Sequence, residues 1–231
     1  MVIRGVVFDL DDTLYLERAY VESGFTAVSR RLAEISARPM AECHARLTQV
    51  ASDTSFRGRV FDEVLRRDPA LAARVTVRDL VETYRSHEPT ISLLPGAVDL
   101  LEGLRQSGLK LGMITDGPVA SQRAKLTALG LSGTMDPTIV TDAWGIEFRK
   151  PHERAFERVE ELWGYFGEQL VYIGDNPLKD FVAPRRRGWL SVRLVHTDQL
   201  HMREQPADVE ASPSESVYGF AEAARVLASW Q

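Results

Sequence analysis

The sequence is nearly without cysteine. Cys43 is the only one in 231 residues, so no intrachain disulfide can form and a reducing compartment is expected. No Cys/His metal cluster surrounds it, and it reads as a small buried hydrophobe. Long apolar runs are missing too: no stretch approaches the ~18 apolar residues that span a bilayer. Met1 is not followed by the basic, apolar and cleavage-site segments of a signal peptide. The expectation is a cytoplasmic protein without a membrane partner. Nor is there an excess of positive charge. With 28 Lys and Arg against 33 Asp and Glu, the formal net charge is -5, which gives no reason to expect nucleic acid. No internal repeat is visible. The apolar and charged fractions, 44% and 26%, are ordinary for a globular chain long enough for one large domain or a core with a smaller insert.

What is present begins with a nearly continuous apolar run. Val2, Ile3, Val6, Val7 and Phe8 are β-branched or aromatic, as in a strand buried on both faces of a parallel sheet. The period then changes: Val21, Phe25, Val28, Leu32 and Ile35 recur at spacings of four and three, the mark of an amphipathic helix. Further helical patterns cover Met40–Val50, Phe56–Arg67 and Val77–Arg85, with Asp68-Pro69 as a break. No strand is expected between Glu17 and Ser86, so this stretch reads as an inserted helical subdomain, with His87 to Gly96 as a proline-stiffened return linker. From Ala97 helices and strands alternate. Strands are expected at Leu109–Thr115, Thr138–Thr141, Leu170–Gly174 and Leu190–Val195, with an edge strand at Ala207–Ala211. Helices are expected at Val119–Leu129, His152–Trp163, Leu178–Arg187 and Val217–Trp230. Repeated βα units predict an α/β fold, a doubly wound parallel sheet with helices on both faces. The expected boundaries are a core of residues 1–14 and 90–231 and a helical insert of 15–89.

Asp9 falls where the first strand ends, and the carboxyl ends of strands are where open α/β sheets bind ligands. Period two puts Asp11 on the same side as Asp9 if the chain stays extended through Leu10. Two such carboxylates can hold a hard cation or divide nucleophile and acid/base roles; a plain polar turn is the alternative. Three more clusters follow strand ends or precede helices: Thr115-Asp116-Gly117-Pro118, Lys150-Pro151, and Gly174-Asp175 with Asp180. Singly these are a helix cap, a surface lysine and a turn. Together with Asp9 and Asp11 their coincidence is hard to explain as separate turns.

In this order Asp9-x-Asp11-x-Thr13, Thr115, Lys150-Pro151 and Gly174-Asp175-x-x-x-x-Asp180 resemble the four motifs of the haloacid dehalogenase-like (HAD) superfamily, in its phosphatase branch. The helical insert sits where that family carries its cap domain. The resemblance implies a Rossmann-like core and a reaction in which Asp9 attacks phosphorus to give an aspartyl-phosphate. Asp11 would protonate the leaving alkoxide and later deprotonate the attacking water, with the like charges of Asp9, Asp175 and Asp180 raising its pKa. Mg²⁺ would be held by Asp9, the backbone carbonyl of Asp11, and Asp175. The Thr115 hydroxyl and the N–H of Asp116 would bind the phosphoryl group. Lys150 would balance charge on nucleophile and phosphoryl alike, and Asp180 would support Lys150 or a water on the metal. The chain departs from the pattern at two positions: 116 is Asp where many relatives have Asn, and Asp12 replaces a frequent Gly, where it is expected to serve the turn.

The implied substrate is a small phosphorylated metabolite, a sugar phosphate or a nucleoside monophosphate, and the implied assembly is a monomer or homodimer. Arg57 or Arg59, in a Gly-interrupted loop of the insert, is a candidate for meeting an anionic substrate. Arg185-Arg186-Arg187 reads as a solvated helix end. A phosphomutase of the β-phosphoglucomutase type shares all four motifs. A haloacid dehalogenase has an aromatic residue in the place of Asp11, and a catalytically silent HAD-fold binding protein would have lost the acids retained here.

Overall fold

The computed structural model describes residues 2–56 and 58–231. The chain forms two compact units, Ala19–Thr90 and the remainder, Met1–Arg18 with Ile91–Gln231. Arg57 lies outside the described residues.

The smaller unit is helical. Helix α1 (Glu17–Ser36) enters it, followed by α2 (Met40–Ala51), α3 (Val60–Arg66), α4 (Pro69–Ala72) and α5 (Val77–Ser86). Their apolar faces meet in a core of Phe25, Val28, Leu32, Cys43, Leu47, Val50, Phe61, Val64, Leu65, Leu71 and Leu80, among others. Cys43 is thus packing, as its context predicts. The Asp68-Pro69 break separates α3 from α4 and doubles as a helix start. Pro69 takes the first position of α4, where its missing N–H costs nothing, and Asp68 caps it by accepting from the Leu71 N–H at 3.1 Å. Thr76 and Asp79 form a reciprocal capping box at the start of α5.

The larger unit holds six parallel strands: β1 (Gly5–Phe8), β2 (Lys110–Thr115), β3 (Thr138–Val140), β4 (Leu170–Gly174), β5 (Leu190–Leu194) and β6 (Glu215–Val217). The strand order is β3-β2-β1-β4-β5-β6. Helices α6 (Ala97–Gln106), α7 (Val119–Ala128), α8 (Arg154–Trp163), α9 (Val182–Arg186) and α10 (Phe220–Ser229) complete the doubly wound arrangement. The order reverses between β1 and β4, the point at which such sheets open a crevice for a ligand. Phe8 is in register with Met113 on one side and Ile173 on the other, so Asp9, Thr115 and Asp175 leave neighbouring strands at the same end of the sheet.

Two small residues let α8 sit close against this sheet. A Cβ at Gly5 would stand 2.4 Å from the Trp163 ring, and one at Gly112 would stand 3.1 Å from it. Trp163 is accordingly buried, and its indole N–H donates to the Asp136 carbonyl at 2.9 Å.

The edge strand lies at Glu215–Val217, not at Ala207–Ala211. Asp208 instead folds that segment into a turn, accepting from the Ala211 N–H at 2.9 Å, and Ser214 starts the pairing with Ser191. Helix α9 is shorter than its expected span because Asn176 and Asp180 organise the preceding residues as a turn. Arg187 is no solvated end. It ties α9 to α8 through Glu153, Glu157 and Glu160, and Trp189 donates to Glu160 at 2.7 Å. Among the described residues no helix is long and apolar enough to cross a membrane.

Candidate active site

The end of β1 turns sharply into α1. Asp12 takes a left-handed conformation, φ 53°, which Asp tolerates, and its carboxylate accepts the N–H groups of Glu17 at 2.7 Å and Leu200 at 2.8 Å. It therefore serves the turn, as its position predicts, and frees Asp9 and Asp11 for other partners.

Asp9 is buried at the strand end. Its Oδ1 receives a hydrogen bond from Lys150 Nζ at 2.7 Å, while Oδ2 is buried with no partner. Burial pushes its carboxyl up to about 6, with Asp180 and Asp11 adding to the rise and Lys150 and Lys179 opposing it. Lys150 itself is fully enclosed. It donates to Asp9 Oδ1 and to Tyr172 Oη at 2.8 Å, and Asp180 Oδ1 stands 2.8 Å away as an ion-pair partner. Burial favours the neutral amine, but Asp180 and Asp9 overcome it and hold the ammonium charged.

Asp175 follows β4 and forms no ion pair among the described residues; its Oδ2 is buried without a partner. Burial, then the charges of Asp180 and Asp9, raise its pKa well above the ordinary carboxylate range. Asp180 reaches this cluster because Gly174 has no side chain, a Cβ there standing 2.6 Å from Asp180 Oδ2. The Asn176 N–H holds that oxygen at 2.9 Å. Carboxylate oxygens of Asp9, Asp175 and Asp180 all lie within 4.8 Å of one another. Hard oxygen donors converging in this way, with one oxygen of each of the three carboxylates without a hydrogen-bond partner, fit a divalent cation. The Asp9 and Asp175 of the expected ligand set are in this group, and Asp180 joins them.

Asp11 departs from expectation. Tyr15 Oη and Lys125 Nζ both donate to its Oδ1, the latter at 2.6 Å, and Gln122 Nε2 donates to its Oδ2 at 2.8 Å. Burial raises its pKa, but Lys125, Gln122 and Tyr15 outweigh burial and the net shift is downward. The acids expected to raise it are overruled by a cation and two donors that come from α7 and the turn. Nearby, burial and the charges of Asp11 and Asp12 push Glu17 up to about 7.

Thr115 ends β2 and is fully buried. Its oxygen accepts from Gln122 Nε2 at 2.7 Å, which leaves its own hydrogen to donate elsewhere. Gln122 also reaches the Asp116 carbonyl at 2.6 Å, so one amide links the loops after β1 and β2. The Asp116 side chain accepts from Thr141 Oγ1 at 2.8 Å and from the Lys150 N–H at 3.1 Å, and it pairs with Lys179 at 3.3 Å. Its pKa is lowered because Lys150, Lys179 and these hydrogen bonds overcome burial. In the helical unit Arg59 stands just before α3, its guanidinium donating to the Ser55 carbonyl at 3.1 Å.

The structure thus brings Asp9, Lys150, Asp175 and Asp180 into one cluster. Asp11, Thr115 and Asp116 join it through Gln122 and Lys150. Sequence reasoning missed Tyr15, Gln122, Lys125, Tyr172 and Lys179. The available signal lay in α7: Gln122 and Lys125 stand at i and i+3 on its buried face, where apolar residues belong.

The chain is similar to several known proteins. A family model described as haloacid dehalogenase-like hydrolase matches residues 3–186. The glyceraldehyde 3-phosphate phosphatase of Methanocaldococcus jannaschii is 30% identical over 199 residues, covering 84% of this chain and 86% of the relative. The phosphoserine phosphatase of Thermus thermophilus is 34% identical over 158 residues, 68% of this chain and 59% of the relative. Among solved structures, a 2-haloacid dehalogenase from Pseudomonas syringae covers 100% of both chains with a TM-score of 0.66 and 22% identity, a likeness of fold.

Proposed function

The chain belongs to the haloacid dehalogenase-like hydrolase family, and from that premise we propose that it is a Mg²⁺-dependent phosphatase of small phosphorylated metabolites that works through an aspartyl-phosphate. The observation that carries this reading is the divided environment of Asp9. One oxygen is pinned by a buried ammonium, and the other is buried, unpartnered and free to attack. The helical unit Ala19–Thr90 takes the part of the family's cap.

In this reading Asp9 Oδ2 forms a bond to phosphorus as the bond to the substrate's leaving oxygen breaks, and water later cleaves the acyl phosphate to free phosphate. Lys150 holds Asp9 as the anion against the burial that would protonate it. Thr115, its lone pair taken by Gln122, turns its hydroxyl hydrogen to a phosphoryl oxygen, and the Asp116 N–H is the second donor. Asp11 serves as acid to the leaving oxygen and as base to water. Its donors hold it as a carboxylate at rest, which suits the base role; protonating the leaving oxygen requires it to leave Lys125 and take up a proton. Asp9 and Asp175, with Asp180 beside them, would hold Mg²⁺, which neutralises charge between carboxylates and phosphate when bound. Asp11 also separates this chain from dehalogenases of like fold, in which that place is aromatic. The names of the relatives point to small three-carbon phosphates as the first substrates to try.

The test is phosphate release from a panel of triose, sugar, nucleoside and amino-acid phosphates, with and without Mg²⁺, using Asp9→Asn as the blank. Release that requires both the metal and Asp9 is expected. No release from any member, or release undiminished in Asp9→Asn, refutes the reading.

A further inference from the structure

Two lysines stand in the electrostatic field of Asp9, and only one of them is committed. Lys150 is wholly buried, hydrogen-bonded to Asp9 and Tyr172 and ion-paired with Asp180, with all three partners at 2.7–2.8 Å. Its position is thus set by Asp9, Asp180 and Tyr172 together. Lys179 differs in each respect. Its side chain is 30% exposed, and its one ion pair among the described residues, with Asp116 Oδ2, is 3.3 Å long. Charge-assisted N–H···O bonds are typically ~2.7–2.9 Å, so this contact is loose and leaves two ammonium protons uncommitted.

We propose that Lys179 is a second cation, beside Lys150, that touches the substrate's phosphoryl group, with Asp116 as the positioning residue that holds it there. This rests on the phosphatase reading of the site. Asp116 is well placed for the task. Its Oδ1 is fixed by Thr141 and by the Lys150 N–H, so Oδ2 is presented to Lys179 from a rigid base. Lys179 is set from the other side by the Asn176 turn, in which its own N–H bonds the Asn176 carbonyl at 3.2 Å and the neighbouring Asp180 is buried in the acid cluster. The acid at 116 thereby gains a function. The extra negative charge and the extra positive charge neutralise one another at rest. When phosphate enters, Lys179 exchanges a long contact with Asp116 for a short one with a dianion. Lys150 keeps its hydrogen bond to Asp9 meanwhile.

The test uses the full-length protein with inorganic phosphate as probe. Phosphate affinity is measured by calorimetry in Mg²⁺ buffer, and kcat and KM are measured on the best substrate of the panel. Lys179→Met is expected to weaken phosphate binding by about 10-fold and to lower kcat/KM by about 10- to 100-fold, as for loss of a hydrogen bond to a charged group. Lys179→Arg should restore most of both, which a purely structural role of the side chain would not require. Asp116→Asn should have a smaller effect, and none beyond that of Lys179→Met when the two are combined. Phosphate affinity and kcat/KM within twofold of the parent in Lys179→Met would overturn the proposal. The two readings fail separately. Lys179-dependent phosphate binding without turnover of any phosphate ester sinks the phosphatase reading alone, and turnover indifferent to Lys179 sinks this one alone.

Discussion

Asp175→Asn should make the metal-free protein more stable. Asp175 is buried, its Oδ2 has no partner, and the described residues supply it with no ion pair. Its carboxylate oxygens lie within 4.8 Å of those of Asp9 and Asp180. At that separation a like-charge pair costs about 3 kcal/mol at an effective dielectric of 20. Lys150 offsets Asp9 and Asp180, which it touches, and acts on Asp175 only at longer range. Replacing the charge by an amide of the same shape should recover about 2 kcal/mol, which raises Tm by about 4–8 °C in a chain of this size. Thermal unfolding in a chelator and in Mg²⁺ gives the measurement. Mg²⁺ at ten times its Kd should stabilise the parent by about 1.4 kcal/mol and Asp175→Asn by much less. The gap in chelator should also depend on pH. Burial raises the Asp9 carboxyl to about 6, so the folded state binds its proton more tightly than the unfolded chain does. The stability linked to that proton is present below the unfolded value near 3.8 and is lost as pH rises through about 6. The parent should therefore gain stability on acidification from neutrality, and the advantage of Asp175→Asn should narrow. A variant less stable than the parent in chelator, or one stabilised by Mg²⁺ to the same extent, would refute the reasoning.

Three other outcomes are expected. Gly174→Ala puts a Cβ 2.6 Å from Asp180 Oδ2; Asp180 must shift, its ion pair with Lys150 is disturbed, and steady-state kinetics should show kcat down at least about 10-fold with the fold retained by circular dichroism. Gln122→Met removes the amide shared by Asp11, Thr115 and the Asp116 carbonyl; kcat/KM should fall about 10- to 100-fold, and a double-mutant cycle with Thr115→Val should be non-additive. In the helical unit, hydrogen bonds from Arg66 and Arg67 hold the Glu63 carboxyl at about 2. Its contribution is present above the unfolded value near 4.5 and is lost as pH falls toward about 2. Glu63→Gln should flatten this limb of an acid titration followed by far-ultraviolet circular dichroism.

How far the sequence could be read depended on how local each signal was. The strands that carry Asp9, Thr115 and Asp175 announce themselves because a doubly buried strand must be apolar along its length and must break at a turn. The acids stand out because they follow those runs directly. Asp12 was readable for the same reason, since one residue's backbone geometry decides its use. The state of Asp11 was not. Its near neighbours in sequence are acids, and these imply a raised pKa; the groups that lower it include Gln122 and Lys125, more than a hundred residues away. Charge balance in a buried site is a property of the assembled sheet ends, and no window of the chain contains it. Lys179 shows the same limit from the other direction. Beside Asp180 it looks like a solvated turn residue, and only the arrival of Asp116 from β2 gives it a partner. Motif positions mark where the chemistry sits. The residues between motifs set the protonation and the commitments of those groups, and there the chain's own specificity must be sought.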